Sequence, residues 1–136
     1  MKRYYLNSWI AKVLLMFTTC HTITLGFFVF SKNKTISKVV KNHETIHTMQ
    51  WLEVTMLAGL IFVLLDIIIG VNLTYLSPIA YYALYGFEWL LRVSLYKSYK
   101  LAYLALSFEW EAYENEEDSN YLLNRPLFGW VKYIYG

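Results

Sequence analysis

The chain has 136 residues, which is enough for one domain and too few for two. Hydrophobic residues make up 57% and charged residues 16% of it, an apolar excess that predicts a single integral membrane domain over residues 1–136. The net charge of +2, without basic residues interleaved with stacking aromatics, excludes nucleic acid as a partner, and the single cysteine excludes an internal disulfide or a cysteine-rich zinc site.

The first element is the apolar segment 9–30. Its second half, residues 21–30, alternates Thr with Ile and Leu and then becomes aromatic and β-branched, which is typical of a strand. By length the segment also fits a transmembrane helix. Such a helix would place the positive N-terminal residues outside the cell, against the positive-inside rule. The sequence leaves three alternatives, a re-entrant segment, a short β-hairpin or a third transmembrane helix, and the charges favour one that does not span.

Two later segments have the length and composition of membrane spans. Residues 54–73 contain Asp66 as their only charge, and a second span is predicted at 79–95 after a short turn that ends at Pro78. Because the connection is short, the spans should be antiparallel, with both flanks on one face of the membrane. The positive-inside rule places this face in the cytoplasm, since it carries most of the cations: Lys32, Lys34, Lys38, Lys41, Arg92, Lys97 and Lys100.

Polar residues inside these spans give two further expectations. Asp66 lies about as far before the turn as Tyr81 or Tyr82 lies after it, so a hydrogen bond from one of these phenols to the carboxylate is predicted. Glu88 and Arg92 are four residues apart with the acid first, which is the favourable order for an ion pair on a helix.

The motif His-Glu-x-x-His occupies residues 43–47. On a helix this spacing places the imidazoles of His43 and His47 on one face, where they can bind one Zn²⁺ at about 2.0–2.1 Å. A helix is expected here because no Gly or Pro interrupts the chain from Ser37 to the first span. A catalytic zinc lowers the pKa of its water and uses an adjacent carboxylate as general base, here Glu44. The alternative is an interfacial histidine pair beside a solvated glutamate.

A third protein ligand is expected from residues 107–114, which the hairpin brings to the same side of the membrane. In a helix, Glu109 and Tyr113 share a face with Ala112, whose small side chain would allow close approach to the histidine-bearing helix. Glu109 is therefore the predicted ligand. The remaining acids are expected to form a solvated face: Glu111, Glu114 and Glu116.

The order of these features resembles the membrane-bound gluzincin zinc metallopeptidases, the group that includes the heat-shock protease HtpX and the CAAX prenyl protease. It is also similar to short bacterial membrane proteins in which Phe-Glu-x-Glu-Ala-Tyr follows the histidine motif. The resemblance covers residues 22–114 and rests on a strand-like run, His-Glu-x-x-His, membrane helices and Glu-x-x-Ala followed by an aromatic residue.

The resemblance implies a role for each matching residue. His43, His47 and Glu109 would bind zinc, and Glu44 would be the base. The edge strand that pairs with an extended substrate would consist of Thr22, Ile23, Thr24 and Leu25. Tyr113 stands where the larger proteases carry an Asp that orients a histidine ligand. Tyr113 is therefore a candidate to contact a metal-binding residue without binding the metal itself.

The predicted fold is an all-α membrane protein, an antiparallel transmembrane hairpin with juxtamembrane helices that carry the metal site. His47 precedes the turn near Thr74 by about 40 Å of helix, so the site should lie at the surface of a bacterial inner membrane. The predicted activity is hydrolysis of membrane-proximal peptide or protein substrates, with lipid as the other partner and no signal for an oligomeric state.

Two alternatives to the enzyme remain. The first is a zinc-binding sensor or scaffold without catalysis, which would close a four-ligand shell with His21 or another carboxylate. The second is a membrane scaffold without metal, in which the imidazoles would face lipid or lie too far apart to share an ion.

Overall fold

The computed structural model describes residues 3–16 and 20–135. It is mostly helical but also contains a small three-stranded sheet. The predicted fold class, all-α, is therefore correct only for the helical part. Short 3-10 turns lie at Thr74–Leu76 and Gly129–Tyr133. The strands and helices in chain order are β1 (Arg3–Tyr5), α1 (Trp9–Leu14), β2 (Thr22–Leu25), β3 (Phe28–Ser31), α2 (Lys38–Ile69), α3 (Ser77–Tyr96), α4 (Tyr99–Leu104), α5 (Ser107–Asn115) and α6 (Tyr121–Asn124).

The sheet has the strand order β1-β3-β2. Strand β3 pairs in parallel with β1 and antiparallel with β2, to which it is joined by a two-residue loop. Gly26 takes the first loop position with a φ of 60°, which a side chain would disfavour. The β-hairpin considered for segment 9–30 is therefore present. The described part of that segment holds no helix that could cross a membrane, since α1 has six residues.

Helix α2 is the longest element, with 32 residues. The Ser37 hydroxyl accepts a hydrogen bond from the Val40 N–H at its start, and Gly70 ends it with a φ of 69°. Among the described residues it is the one helix long and apolar enough to cross a membrane, judged by length and composition, and 17% of its most apolar window is buried.

Helix α3 runs antiparallel to α2, but in a different register from the predicted hairpin. The Trp51 indole donates a hydrogen bond to the Pro78 carbonyl at 3.0 Å, and the Tyr81 hydroxyl donates one to Gln50 at 3.3 Å. The start of α3 therefore lies beside the middle of α2, and the predicted pair of spans at 54–73 and 79–95 is not confirmed.

Two predictions about polar residues have different outcomes. The expected contact of Asp66 with Tyr81 or Tyr82 is wrong, because the Asp66 carboxylate instead accepts hydrogen bonds from Leu73 N–H and from the backbone and hydroxyl of Thr74. The Asp66 carboxylate therefore caps the turn that follows α2, and its oxygens are used locally and not by a tyrosine at the same depth on the next helix.

The ion pair between Glu88 and Arg92 is confirmed, with 3.1 Å between Oε1 and Nη2. Glu88 also accepts hydrogen bonds from the backbone and hydroxyl of Ser107, the first residue of α5. Arg92 donates to the carbonyl of Ile134. This pair therefore holds α5 and the C-terminal segment against α3.

Candidate metal centre

His43 and His47 lie in the first half of α2, one helical turn apart. Both are buried, and their Nε2 atoms are 3.0 Å apart. The helix predicted from the uninterrupted sequence therefore brings the two imidazoles together on one face. They face the neighbouring helix α5 and do not point outward, so the interpretation as an interfacial, lipid-facing pair does not fit.

Glu109, near the start of α5, faces both imidazoles. Its Oε2 lies 3.5 Å from His43 Nε2 and its Oε1 lies 3.4 Å from His47 Nε2. One ligand atom from each of the three residues lies within 4.8 Å of the others, so the group could hold a metal ion. Within residues 3–16 and 20–135, no fourth His, Cys, Asp or Glu joins the group.

The separations are of the size that a small metal ion needs. Bonds of about 2.0–2.1 Å in tetrahedral geometry place ligand atoms about 3.3–3.4 Å apart. The two Nε2 atoms are 3.0 Å apart, and each lies 3.4 or 3.5 Å from a different oxygen of Glu109. In addition, Glu109 Oε2 is buried and accepts no hydrogen bond from the described residues. A buried carboxylate oxygen without a donor is costly, and a cation between these groups would satisfy it.

The outer nitrogen of each imidazole sets its tautomer. His43 Nδ1 lies 2.8 Å from a carboxylate oxygen of Glu116, and His47 Nδ1 lies 2.8 Å from the amide oxygen of Gln50. Both partners are acceptors, so both Nδ1 atoms donate, and a ring in its neutral form keeps a lone pair on Nε2. Two such lone pairs 3.0 Å apart repel each other unless a proton or a metal ion lies between them.

The charges around the group favour a cation. Burial lowers the pKa of His47, but the charges of Glu109 and Glu44 and hydrogen bonds to Glu109 and Gln50 raise it to about 9. Burial also raises the pKa of Glu109, but the charges of His47 and His43 beside its two oxygens outweigh this and hold that pKa well below its ordinary value. The same field that holds a proton here attracts a metal ion, which competes with that proton.

Glu44 lies beside the group and is buried. Its Oε2 accepts a hydrogen bond of 2.6 Å from the hydroxyl of Thr24 on β2. This bond fixes the carboxylate and joins the histidine-bearing helix to the sheet. The residue predicted as the base and one residue of the predicted edge strand are therefore in direct contact.

Strand β2 lies at an edge of the sheet and lines a cavity of about 250 Å³. The Lys32 N–H donates to the His21 carbonyl, which fixes the hydrogen-bonding phase of the hairpin. In an antiparallel pair the bonded residues alternate, so Ile23 and Leu25 bond to β3 while Thr22 and Thr24 direct their backbone groups to the open edge. The same cavity is lined by Glu44 and by all three candidate ligands: His43, His47 and Glu109.

Tyrosines surround the candidate ligands. Tyr85 donates a hydrogen bond of 2.8 Å to Glu109 Oε1. The ring of Tyr113 packs edge-on against His43, with 4.8 Å between ring centroids. Tyr113 thus contacts a candidate ligand, but the hydrogen bond that orients His43 is the one that its Nδ1 donates to Glu116.

The predicted solvated acidic face is wrong for two of its three residues. Glu111 is 0% exposed and bonds to Arg125, and Glu116 bonds to His43. The contacts of Glu116 and Gln50 with the histidines could have been predicted from helical spacing. Glu116 lies seven residues after Glu109, on the same helical face, and Gln50 lies three residues after His47.

No family model, no curated protein and no solved structure matches this chain. The comparisons therefore add no evidence for a gluzincin relationship or against it. What stands is the geometry of the site, in which two imidazoles, a buried carboxylate and an adjacent glutamate surround a common point next to an open strand edge.

Proposed function

We propose that the chain is a small membrane-embedded zinc metallopeptidase of the gluzincin kind. The main support for the proposal is that two imidazole nitrogens and the buried Glu109 carboxylate converge closely enough to hold one metal ion. The neighbouring Glu44 and the open edge of β2 then supply the two other parts that peptide hydrolysis requires, a base and a place for the substrate.

The set of two His and one Glu is one that catalytic zinc uses in known metallopeptidases, and three protein ligands leave a position open for reaction. Zinc bound there would polarise the substrate carbonyl and lower the pKa of a water molecule towards 7. A closed four-ligand shell, which a structural zinc protein would have, is not formed by the described residues.

Glu44 would take a proton from the attacking water as the C–O bond forms, and give it to the amide nitrogen as the C–N bond breaks. The hydroxyl of Thr24 would keep this carboxylate in place. The substrate would lie extended along β2, where the N–H and C=O groups of Thr22 and Thr24 that point away from β3 can pair with its backbone. Ile23 and Leu25 also line the cavity.

The apolar surface supports a membrane location. The second half of α2 exposes Leu60, Leu64 and Ile68, and the outer face of α3 exposes Phe87 and Leu90. We propose that these surfaces contact lipid and that α2 and α3 form the membrane hairpin. At about 1.5 Å per residue, His47 lies about 33 Å from the end of α2, which is close to the thickness of a hydrocarbon core.

From this distance we infer that the metal centre lies at the membrane surface. The cations of the flanks favour the cytoplasmic face of a bacterial inner membrane. The expected substrates are membrane-proximal segments of peptides or proteins, because these reach the open edge of β2 without unfolding in the bilayer.

The first test is metal content, measured by mass spectrometry on protein purified in detergent. Wild type should contain about one zinc per chain and His47→Ala almost none, because two of the three ligands do not hold the ion. His21→Ala is the matched control, since His21 lies outside the group and its loss should leave the zinc in place. Wild-type protein that takes up no metal even from added zinc would refute the proposal.

The second test separates catalysis from metal binding. Glu44→Gln should retain zinc, because Glu44 is not among the ligands, and should lower the rate of peptide cleavage by about 10²–10⁴-fold, the usual contribution of a general base. The assay uses a peptide from a membrane-proximal segment in the presence of detergent. Full activity of this variant would contradict the role of Glu44 while leaving the metal centre intact.

A further inference from the structure

A buried hydrogen-bonded chain connects His47 to the C-terminal part of the molecule. It runs from the imidazole through Gln50 to Glu111 and then to Arg125. We infer that Gln50 and Arg125 are positioning residues, which fix the tautomer and ring orientation of His47 for metal binding. This inference rests on the proposed metal site and adds a determinant of its affinity that lies 78 residues away in sequence.

Gln50 can present only one of its two amide atoms to His47. Its NH₂ group donates to the carbonyl of Phe108 and to Glu111 Oε2, both at 2.9 Å. The amide oxygen must therefore point to His47 Nδ1, where an acceptor forces the ring to donate. Gln50 is 0% exposed, so bulk water does not compete with Phe108 and Glu111 for its NH₂ group. The lone pair of His47 Nε2 is thereby directed at the metal position.

The acceptor for Gln50 is itself held by a buried cation. Arg125 contacts both oxygens of Glu111, at 2.7 and 3.1 Å. The other side of its guanidinium donates two hydrogen bonds to Glu53, which also accepts one from the N–H of Phe128. Arg125 thus pairs with two buried carboxylates and holds Glu111 in place as an acceptor for Gln50.

The two histidines differ in this respect. Glu116 orients His43 from the end of α5, and its side chain is 24% exposed. The hydrogen bond between His47 and Gln50 is fully buried, and the hydrogen-bonded chain continues from Gln50 to Glu111 and Arg125. Disturbing the chain at Gln50 should therefore affect zinc binding without removing a ligand atom.

The experiment compares Gln50→Leu with the matched control Thr48→Val in detergent. Both remove a buried polar group from α2, but the Thr48 hydroxyl bonds to the carbonyls of Gly26 and Glu44 and not to an imidazole. We expect Gln50→Leu to weaken zinc binding by about 10–100-fold, the usual effect of removing such a partner. Thr48→Val should bind zinc as wild type does.

Cobalt substitution supplies a readout that a loss of stability would not produce. In Co²⁺-loaded Gln50→Leu the visible absorption bands should shift or weaken, because the His47 ring is no longer held in one orientation, whereas Thr48→Val should keep the wild-type spectrum. If the leucine variant does not fold, the unbranched Gln50→Met repeats the test. Arg125→Lys, which loses the paired contact to Glu111, should show a smaller change in the same direction.

Two results would overturn the inference, and they are distinguishable. Wild-type zinc affinity and an unchanged cobalt spectrum in folded Gln50→Leu would reject the positioning role and leave the metallopeptidase proposal in place. A wild-type protein that binds no zinc or cobalt would reject both.

Discussion

The two halves of helix α2 have opposite relations between polarity and burial. Residues 43–53 bury polar side chains, among them Gln50 and Glu53, whereas residues 56–69 expose large apolar ones such as Leu60 and Ile67. In a water-soluble protein both patterns would be unfavourable. One continuous helix thus carries a polar half that the rest of the chain encloses and an exposed apolar half, which the proposed membrane location would surround with an apolar medium.

The largest expected effect concerns the polar half. Arg125→Met removes the cation shared by Glu53 and Glu111 and leaves two buried carboxylates without their ion-pair partner. Breaking a buried pair in this way costs about 3–5 kcal/mol. The apparent melting temperature in detergent, followed by circular dichroism, should fall accordingly. Lys41→Met, the same change at an exposed position of α2, should have little effect; equal melting temperatures for both variants would show that the polar half does not depend on the ion cluster.

The apolar half can be tested by a charge. Leu60 is 60% exposed, so Leu60→Asp would change stability by less than about 0.5 kcal/mol if this surface faced water. If it faces lipid, the charge costs about 2.5–3.5 kcal/mol, and the amount of protein recovered from the membrane fraction should fall. Leu123→Asp is the matched control, because Leu123 on α6 is 84% exposed and far from the long helix in sequence. Normal membrane recovery of Leu60→Asp would remove the contrast between the halves.

Metal binding should stabilise the polar half specifically. A ligand that binds only the folded state at 100 times its Kd adds about 2.7 kcal/mol to the free energy of unfolding. Zinc at that excess should therefore raise the melting temperature of wild type, and a chelator should reverse the change. His47→Ala should not respond to either reagent, and a response of that variant equal to wild type would place the zinc elsewhere.

The smallest effect is expected at the partly exposed end of the site. Glu116→Gln keeps an oxygen that can accept from His43 Nδ1 but removes the charge, so zinc affinity should fall by about tenfold, the lower end for such partners. Isothermal titration would measure it. Glu117→Gln changes the neighbouring exposed acid and should leave the affinity as in wild type; if the two variants bind zinc equally, Glu116 does not orient His43.

The candidate ligands could be predicted from sequence because their relation is local or follows from topology. A spacing of four on a helix fixes His43 relative to His47, and Glu109 required only that the chain return to the same side. The contacts of Glu111 could not be predicted, since they involve Arg125, whose partners are set by tertiary packing. A run of acids is usually solvated. That expectation failed at Glu111 because it pairs with the buried Arg125, which also pairs with Glu53 on α2.

The fold was predictable to a lesser degree. Length and hydropathy located α2 and α3, but the height of one helix relative to the other depends on contacts such as that of Trp51 with Pro78. Periodicity alone does not contain this information. Strand β1 was not predicted because it has three residues and is formed only by pairing with β3.

The unbroken length of α2 has a mechanical consequence. The same continuous helix carries His47 in its first half and exposed apolar residues in its second. In a thinner bilayer a spanning helix tilts, and a tilt of about 20° would lower a group about 33 Å along it by about 2 Å. Under the proposed function, the height of the metal centre above the lipid headgroups would therefore depend on bilayer thickness, and lipid chain length would influence which bond of a membrane-anchored substrate reaches the site.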